Sequence, residues 1–124
     1  MTHRIAVLAL SALAFTTLQT GCGEKAVTYQ ADIKPILEAN CVSCHVPGGP
    51  GYEKSGLRMD SHEALMKGTK FGAVVVPGSS VSSTLYRLVS GQADPSIRMP
   101  HGSAALPEAD VAKIAAWIDQ GAKY

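Results

Sequence analysis

The stretch Cys41-Val42-Ser43-Cys44-His45 decides how the rest of the chain is read. Two cysteines stand three positions apart, and a histidine follows at once. This is the C-x-x-C-H pattern of covalent haem attachment. The chemistry needs each of these residue types. The thiols add across the two vinyl groups of a porphyrin, and the two intervening residues set the sulfurs at the right separation. The adjacent imidazole then falls beneath the ring and binds iron from the proximal side. Competing uses of the same residues fail on context. A thioredoxin-like C-x-x-C belongs with a βαβ unit, which the flanking sequence lacks. A zinc site needs a second C-x-x-C or a His pair, and neither is present.

Upstream, the sequence reads as an address. The chain has 124 residues, enough for one small domain. Thr2-His3-Arg4 is a short basic start. Ile5 to Leu18 is an apolar run with only Ser11, Thr16 and Thr17 as polar residues. The run is short for a membrane span and predicts a signal peptide over residues 1–21. It ends in Leu18-Gln19-Thr20-Gly21-Cys22, which resembles a bacterial lipobox, although Leu18 stands one position early. That resemblance implies a lipid on Cys22. As an ordinary thiol, Cys22 would be left unpaired in an oxidising compartment once Cys41 and Cys44 hold haem. Residues 22–27 then form a tether and 28–124 the folded domain. The expected location is the periplasmic side of a Gram-negative bacterium, anchored to the outer membrane because Gly23, not Asp, follows Cys22.

Loss of the leader removes Arg4 and no acid, which leaves ten basic residues against ten acidic ones. No basic stripe stands out, so a nucleic-acid partner is not expected. Aromatic residues make up only 6% of the chain, with Trp117 the sole tryptophan. A core built from so few large side chains is modest, and a buried macrocycle would supply much of the apolar surface.

Downstream of the tether the patterning predicts helices and loops. Asp32 can cap a first helix, with Pro35 in its first turn and Ile33, Ile36 and Leu37 on one face. The glycine- and proline-rich stretch from Val46 to Gly56 is expected to be loop, with one of its carbonyls receiving the second ring N–H of His45. Asp60 and Glu63 form a capping box before a short helix, His62 to Lys67, which Gly68 stops. Val74-Val75-Val76 reads as a strand-like apolar segment. Ser80 caps a further helix through Leu85, Leu88 and Val89 that ends at Gly91. Gln92 to Ala105 is loop. The last helix begins near Pro107 and carries Val111, Ile114, Ala115 and Ile118 at helical spacing, with Gly121 as its stop. About four helices and no strand ladder make an all-α fold.

The distal side of the iron has several candidates. Met59 and Met66 sit at packing positions, and His62 lies near a helix start, where it is expected to be exposed. Met99 differs, because it is an apolar thioether in a polar loop, between Arg98 and Pro100. Ligation explains such a residue, since Met binds iron softly and favours the reduced state. His101, two residues on, is the rival ligand.

From Thr28 to Tyr124 the chain resembles small class I c-type cytochromes, in particular the planctomycete-type cytochrome c domain. The resemblance is carried by Pro35-Ile36-Leu37 before the haem motif and by Gly56-Leu57-Arg58-Met59-Asp60-Ser61 with Glu63-Ala64-Leu65 after it. Further on it rests on Val76-Pro77-Gly78, Leu85-Tyr86-Arg87, Arg98-Met99-Pro100 and Trp117-Ile118-Asp119-Gln120-Gly121-Ala122. It implies an all-α cytochrome c fold around one covalent haem c, and electron transfer. By position it implies thioethers on Cys41 and Cys44, His45 as proximal ligand and Met99 as distal ligand. His101 stands where a second proline often follows, which keeps it an alternative. The expected function is a mono-haem electron carrier working between separate redox partner proteins, not an enzyme. The contrasting readings are a haem enzyme or sensor of gas or peroxide with an open distal site, and an electron-entry subunit of a dehydrogenase.

Overall fold

The computed structural model describes residues 25–124. The leader, the apolar run and Cys22 lie outside the described residues. Among the described residues five α-helices follow one another: α1 Lys34–Asn40, α2 Pro50–Ser55, α3 His62–Lys67, α4 Thr84–Val89 and α5 Glu108–Asp119. A wide π-helical turn, Tyr29–Ile33, leads into α1, and a 3-10 turn, Pro95–Ile97, lies between α4 and α5. Among the described residues there is no strand, and one isolated bridge joins Thr69 to Gly72. The expected all-α class holds, with one helix more than the sequence predicts. No helix among the described residues is long and apolar enough to cross a membrane.

The extra helix is α2. Pro50 occupies its first position, where a missing N–H costs nothing, and Gly56 ends it in the left-handed region at φ 73°. The expectation of loop from Val46 to Gly56 is corrected over these six residues. Helix starts differ in a second way. Thr28 caps the first helical segment by accepting from the Ala31 N–H, while the Asp32 carboxylate reaches back to the Thr28 N–H at 2.9 Å. Asp32 thus serves the cap from inside the helix. At α3 the cap is Ser61, whose hydroxyl accepts from the Ala64 N–H at 3.1 Å. Asp60 is drawn away to Arg58 at 2.6 Å. Helix α4 starts at Thr84, after Ser80, because the Ser80 hydroxyl is spent on Asp119 Oδ2 at 2.9 Å.

The core gathers the apolar face of each element. Ile33, Leu65, Trp117 and Ile118 are fully shielded from solvent, joined by Tyr29, Leu37, Met59, Val75, Leu85 and Ile114. Burying each such side chain contributes about 1.5–3 kcal/mol. The segment Val74-Val75-Val76, expected to be strand-like, forms no strand: Val74 and Val75 are buried, Val76 is exposed, and the Val74 carbonyl accepts from the Leu85 N–H at 3.0 Å. Two long-range clasps fix α5 against the rest. Gly78 N–H donates to the Ile118 carbonyl at 2.7 Å, and Ser80 N–H donates to Asp119 Oδ1 at 2.7 Å. Trp117 Nε1–H donates to the Lys123 carbonyl at 2.7 Å, so the buried indole leaves no polar atom unmet.

Candidate haem site

Helix α1 delivers the chain into the pentapeptide. Its last turn continues through Cys41 N–H and Val42 N–H, both donating to the Leu37 carbonyl. The next residues tighten into a helical turn, with Cys44 N–H and His45 N–H donating to the Cys41 carbonyl at 3.1 and 3.0 Å. This turn gathers both thiols and the imidazole, within five residues, on one hydrogen-bonded corner. The corner is then held from downstream. Tyr52 N–H in the first turn of α2 donates to the Cys44 carbonyl, and Met59 N–H donates to the His45 carbonyl, each at 2.9 Å.

The glycines of the following segment let it approach this closely. A Cβ built on Gly49 would stand 2.5 Å from the Cys44 carbonyl oxygen. A Cβ on Gly51 would stand 2.8 Å from both Cε1 and Nε2 of the His45 ring. Real Cβ atoms do not come that near, so the bare backbone of α2 forms one wall of the histidine's cradle. Sequence reasoning missed these two glycines as site residues. Their signal was the Gly-Gly-Pro-Gly run itself, which punctuates a loop and equally well permits close backbone approach.

The electrostatics suit a metal-binding imidazole. Burial pulls the His45 pKa below its ordinary value, with the nearby Leu57 backbone acting the other way. The neutral ring is the form that binds metal. Its Nδ1 is buried with no partner in hydrogen-bond geometry, so the carbonyl expected from Val46 to Gly56 does not receive it, and the Leu57 backbone is the polar group beside the ring. Cys41 is half-buried against the core and Cys44 is exposed, and neither is in a disulfide. Burial, with Cys44 beside it, pushes the Cys41 thiol up to about 11, so it stays protonated at neutral pH. Two unpaired thiols beside an imidazole held in a backbone cradle fit covalent haem. Among the described residues no group of three or more His, Cys, Asp and Glu side chains stands together as a metal cluster.

The distal candidates are sorted by burial. Met99 packs partly buried against the core, with its N–H donating to the Leu88 carbonyl of α4 at 3.1 Å. His101 is exposed. Met59 is 4% exposed and is packing, as expected, and Met66 is half-buried. His62 departs from the expectation of exposure. Its Nε2 lies 2.8 Å from the Ala122 carbonyl, and its ring meets Tyr29, Trp117 and Tyr124 edge-on at 5.0, 6.0 and 5.7 Å. It is a structural histidine, drawn inward by aromatics that are remote in sequence. A cavity of about 260 Å³ between α4, the Arg98–Leu106 loop and α5 is lined by none of Cys41, Cys44, His45 or Met99.

Comparison with known proteins adds one match. The family model described as planctomycete cytochrome C aligns with residues 41–102, half of the chain, beginning at Cys41 and running past Met99. No curated protein and no solved structure matches the chain. With the attachment motif at the head of the matched segment and the histidine cradle built around it, the chain belongs to the planctomycete cytochrome C family and is a c-type cytochrome that binds haem c, with its iron, covalently.

Proposed function

We propose that the protein is a mono-haem electron carrier, with no turnover of its own, shuttling single electrons between separate redox proteins on the periplasmic side of a Gram-negative bacterium. Haem c, when bound, supplies an iron that cycles between ferric and ferrous states. Cys41 and Cys44 hold the macrocycle, and His45 gives the proximal nitrogen. Met99 gives the distal sulfur. A lipid on Cys22 holds the protein to the outer membrane.

The observation that carries this reading is the single rigid corner from Cys41 to His45, clamped by the Tyr52 and Met59 amides. An electron carrier gains from such rigidity, because a site that does not rearrange between oxidation states has little to reorganise when the electron moves. The partial burial of Met99 against the core, beside an exposed His101, supports the thioether as the distal ligand. Met99 is anchored through its own backbone to α4, which limits how far the sulfur can wander.

An optical spectrum of the purified holoprotein, oxidised and reduced, tests the reading in one measurement. The expected ferric protein is low-spin with a far-red sulfur-to-iron charge-transfer band. Met99→Ala should lose that band and lower the reduction potential, since the thioether no longer favours ferrous iron. His101→Ala should leave the spectrum nearly unchanged. If His101→Ala removes the low-spin signature while Met99→Ala does not, the site is bis-histidine. A wild-type protein that is already high-spin and takes up carbon monoxide readily overturns the carrier in favour of a sensor or enzyme.

A further inference from the structure

The segment just before the fold is tied down. Val27 N–H donates to Gln120 Oε1 at 2.8 Å, and Gln120 Nε2 donates to the Lys25 carbonyl at 3.3 Å. The Val27 side chain packs partly buried on the core. One glutamine, at the end of α5, grips this segment from a position more than 90 residues away in the chain. Residues 25–27 therefore belong to the folded body. Only Gly23 and Glu24 separate Lys25 from Cys22.

The covalent reach across that gap is small. Three extended steps span about 10–11 Å. The headgroup layer on one side of a bilayer is itself roughly 5–8 Å deep. An acyl-anchored Cys22 lies at the inner edge of that layer, so the leash clears the headgroups by only a few ångströms. We propose, resting on the lipid reading above, that the Gln120 clamp converts the leash into a mount that seats the Lys25–Gln120 corner of the domain on the lipid headgroups in one orientation. The chemistry of the corner agrees with such a surface. Lys25 and Lys123 are exposed there, and Lys113, also exposed, flanks Asp32 with Lys25 while lying 3.9 Å from Asp110 Oδ1. Ammonium groups are drawn to anionic headgroups, and the Asp32 carboxylate, hydrogen-bonded by the Thr28 N–H, offsets part of that charge. A carrier mounted in this way meets only those partners that reach it along the membrane surface, whereas a long tether would let it sweep the periplasm.

The test uses full-length holoprotein purified from membranes and reconstituted in oriented bilayers of phosphatidylethanolamine and phosphatidylglycerol. Intact mass first reports the lipid on Cys22. Linear dichroism of the haem bands then reports orientation, and amide hydrogen exchange at Val27 reports the clamp. The expected result is a dichroic wild type whose signal collapses when a ten-residue Gly/Ser spacer is inserted between Glu24 and Lys25 at equal lipidation. Gln120→Ala should speed Val27 exchange roughly five- to tenfold, the worth of one hydrogen bond, and weaken the dichroism. A lipidated wild type whose dichroism the spacer leaves unaltered overturns the mount and leaves the lipid reading standing. Unaltered Val27 exchange and dichroism in Gln120→Ala overturn the clamp. An unmodified Cys22 overturns both the mount and the anchor.

Discussion

Replacing Gly51 by alanine sets two opposite effects against each other at the histidine cradle. Gly51 lies inside α2 with no positive φ, so alanine is favoured there by the backbone, by about 0.5–1 kcal/mol. The new methyl, however, would stand 2.8 Å from Cε1 and Nε2 of His45 and 3.0 Å from the Cys44 carbonyl oxygen. Overpacking of this kind costs about 1–3 kcal/mol. A free imidazole could swing aside, but one bonded to iron and followed by a clamped carbonyl cannot. The clash therefore wins, with a net loss centred near 1 kcal/mol and reaching about 2.5 kcal/mol. For a domain of this size that lowers Tm by roughly 5 °C at the centre of the range. Thermal unfolding of the holoprotein measures the loss, and a potentiometric titration with ferric spectra measures the strain on the axial bond. Gly48→Ala is the control. It meets nothing within 4 Å but sits at φ 87°, so it should lose stability through backbone strain while leaving potential and spectrum alone. A Gly51→Ala protein as stable as wild type, with unchanged potential and spectrum, would refute the cradle.

The remaining predictions use other parts of the molecule. Denatured holoprotein should retain its haem, with mass spectrometry placing one haem on the Cys41–Cys44 peptide. Cys44→Ala should leave a single, weaker attachment, and release of wild-type haem by acid-acetone sinks the covalent site. His62→Ala removes a 2.8 Å hydrogen bond to the Ala122 carbonyl and three aromatic contacts. It should cost about 1–3 kcal/mol by urea unfolding, and a neutral result would make His62 a surface residue after all. The Asp32 carboxyl is held below its usual pKa first by the Thr28 N–H, against an opposing desolvation that comes next in size, and then by the Thr28 hydroxyl, Lys25 and Lys113. A carboxylate of lowered pKa stabilises the fold above its unfolded value, about 3.9, and loses that contribution as pH falls through its folded value. The Tm gap between wild type and Asp32→Asn should therefore be widest near neutrality and close in acid. A gap that stays constant down to pH 2 would exclude the carboxylate's charge as the cause.

The sequence by itself determined whatever depends on neighbours along the chain. The Cys41–His45 motif is legible because thioether and iron chemistry ask for residues within five positions of one another. The helical spacing of Val111, Ile114 and Ile118 reads directly as α5, and Gly68, Gly91 and Gly121 mark helix ends because a left-handed or otherwise strained φ is cheap only for glycine. Tertiary structure decided the choices that short-range rules leave balanced. Ser80 was a sound cap for α4 until Asp119, 39 positions away, engaged its hydroxyl and amide. His62 looked like a surface residue because nothing within one helical turn would bury it, and its partners Trp117, Ala122 and Tyr124 lie more than 50 positions on. The run from Gly49 to Gly56 has weak helix propensity and became α2 because a helix there returns the Tyr52 amide to Cys44 and lays bare backbone on His45. Each of these outcomes turns on a hydrogen bond or a ring contact worth about 1 kcal/mol. That is as large as the local preference it overrides, and its partner is named only once the chain has folded back on itself.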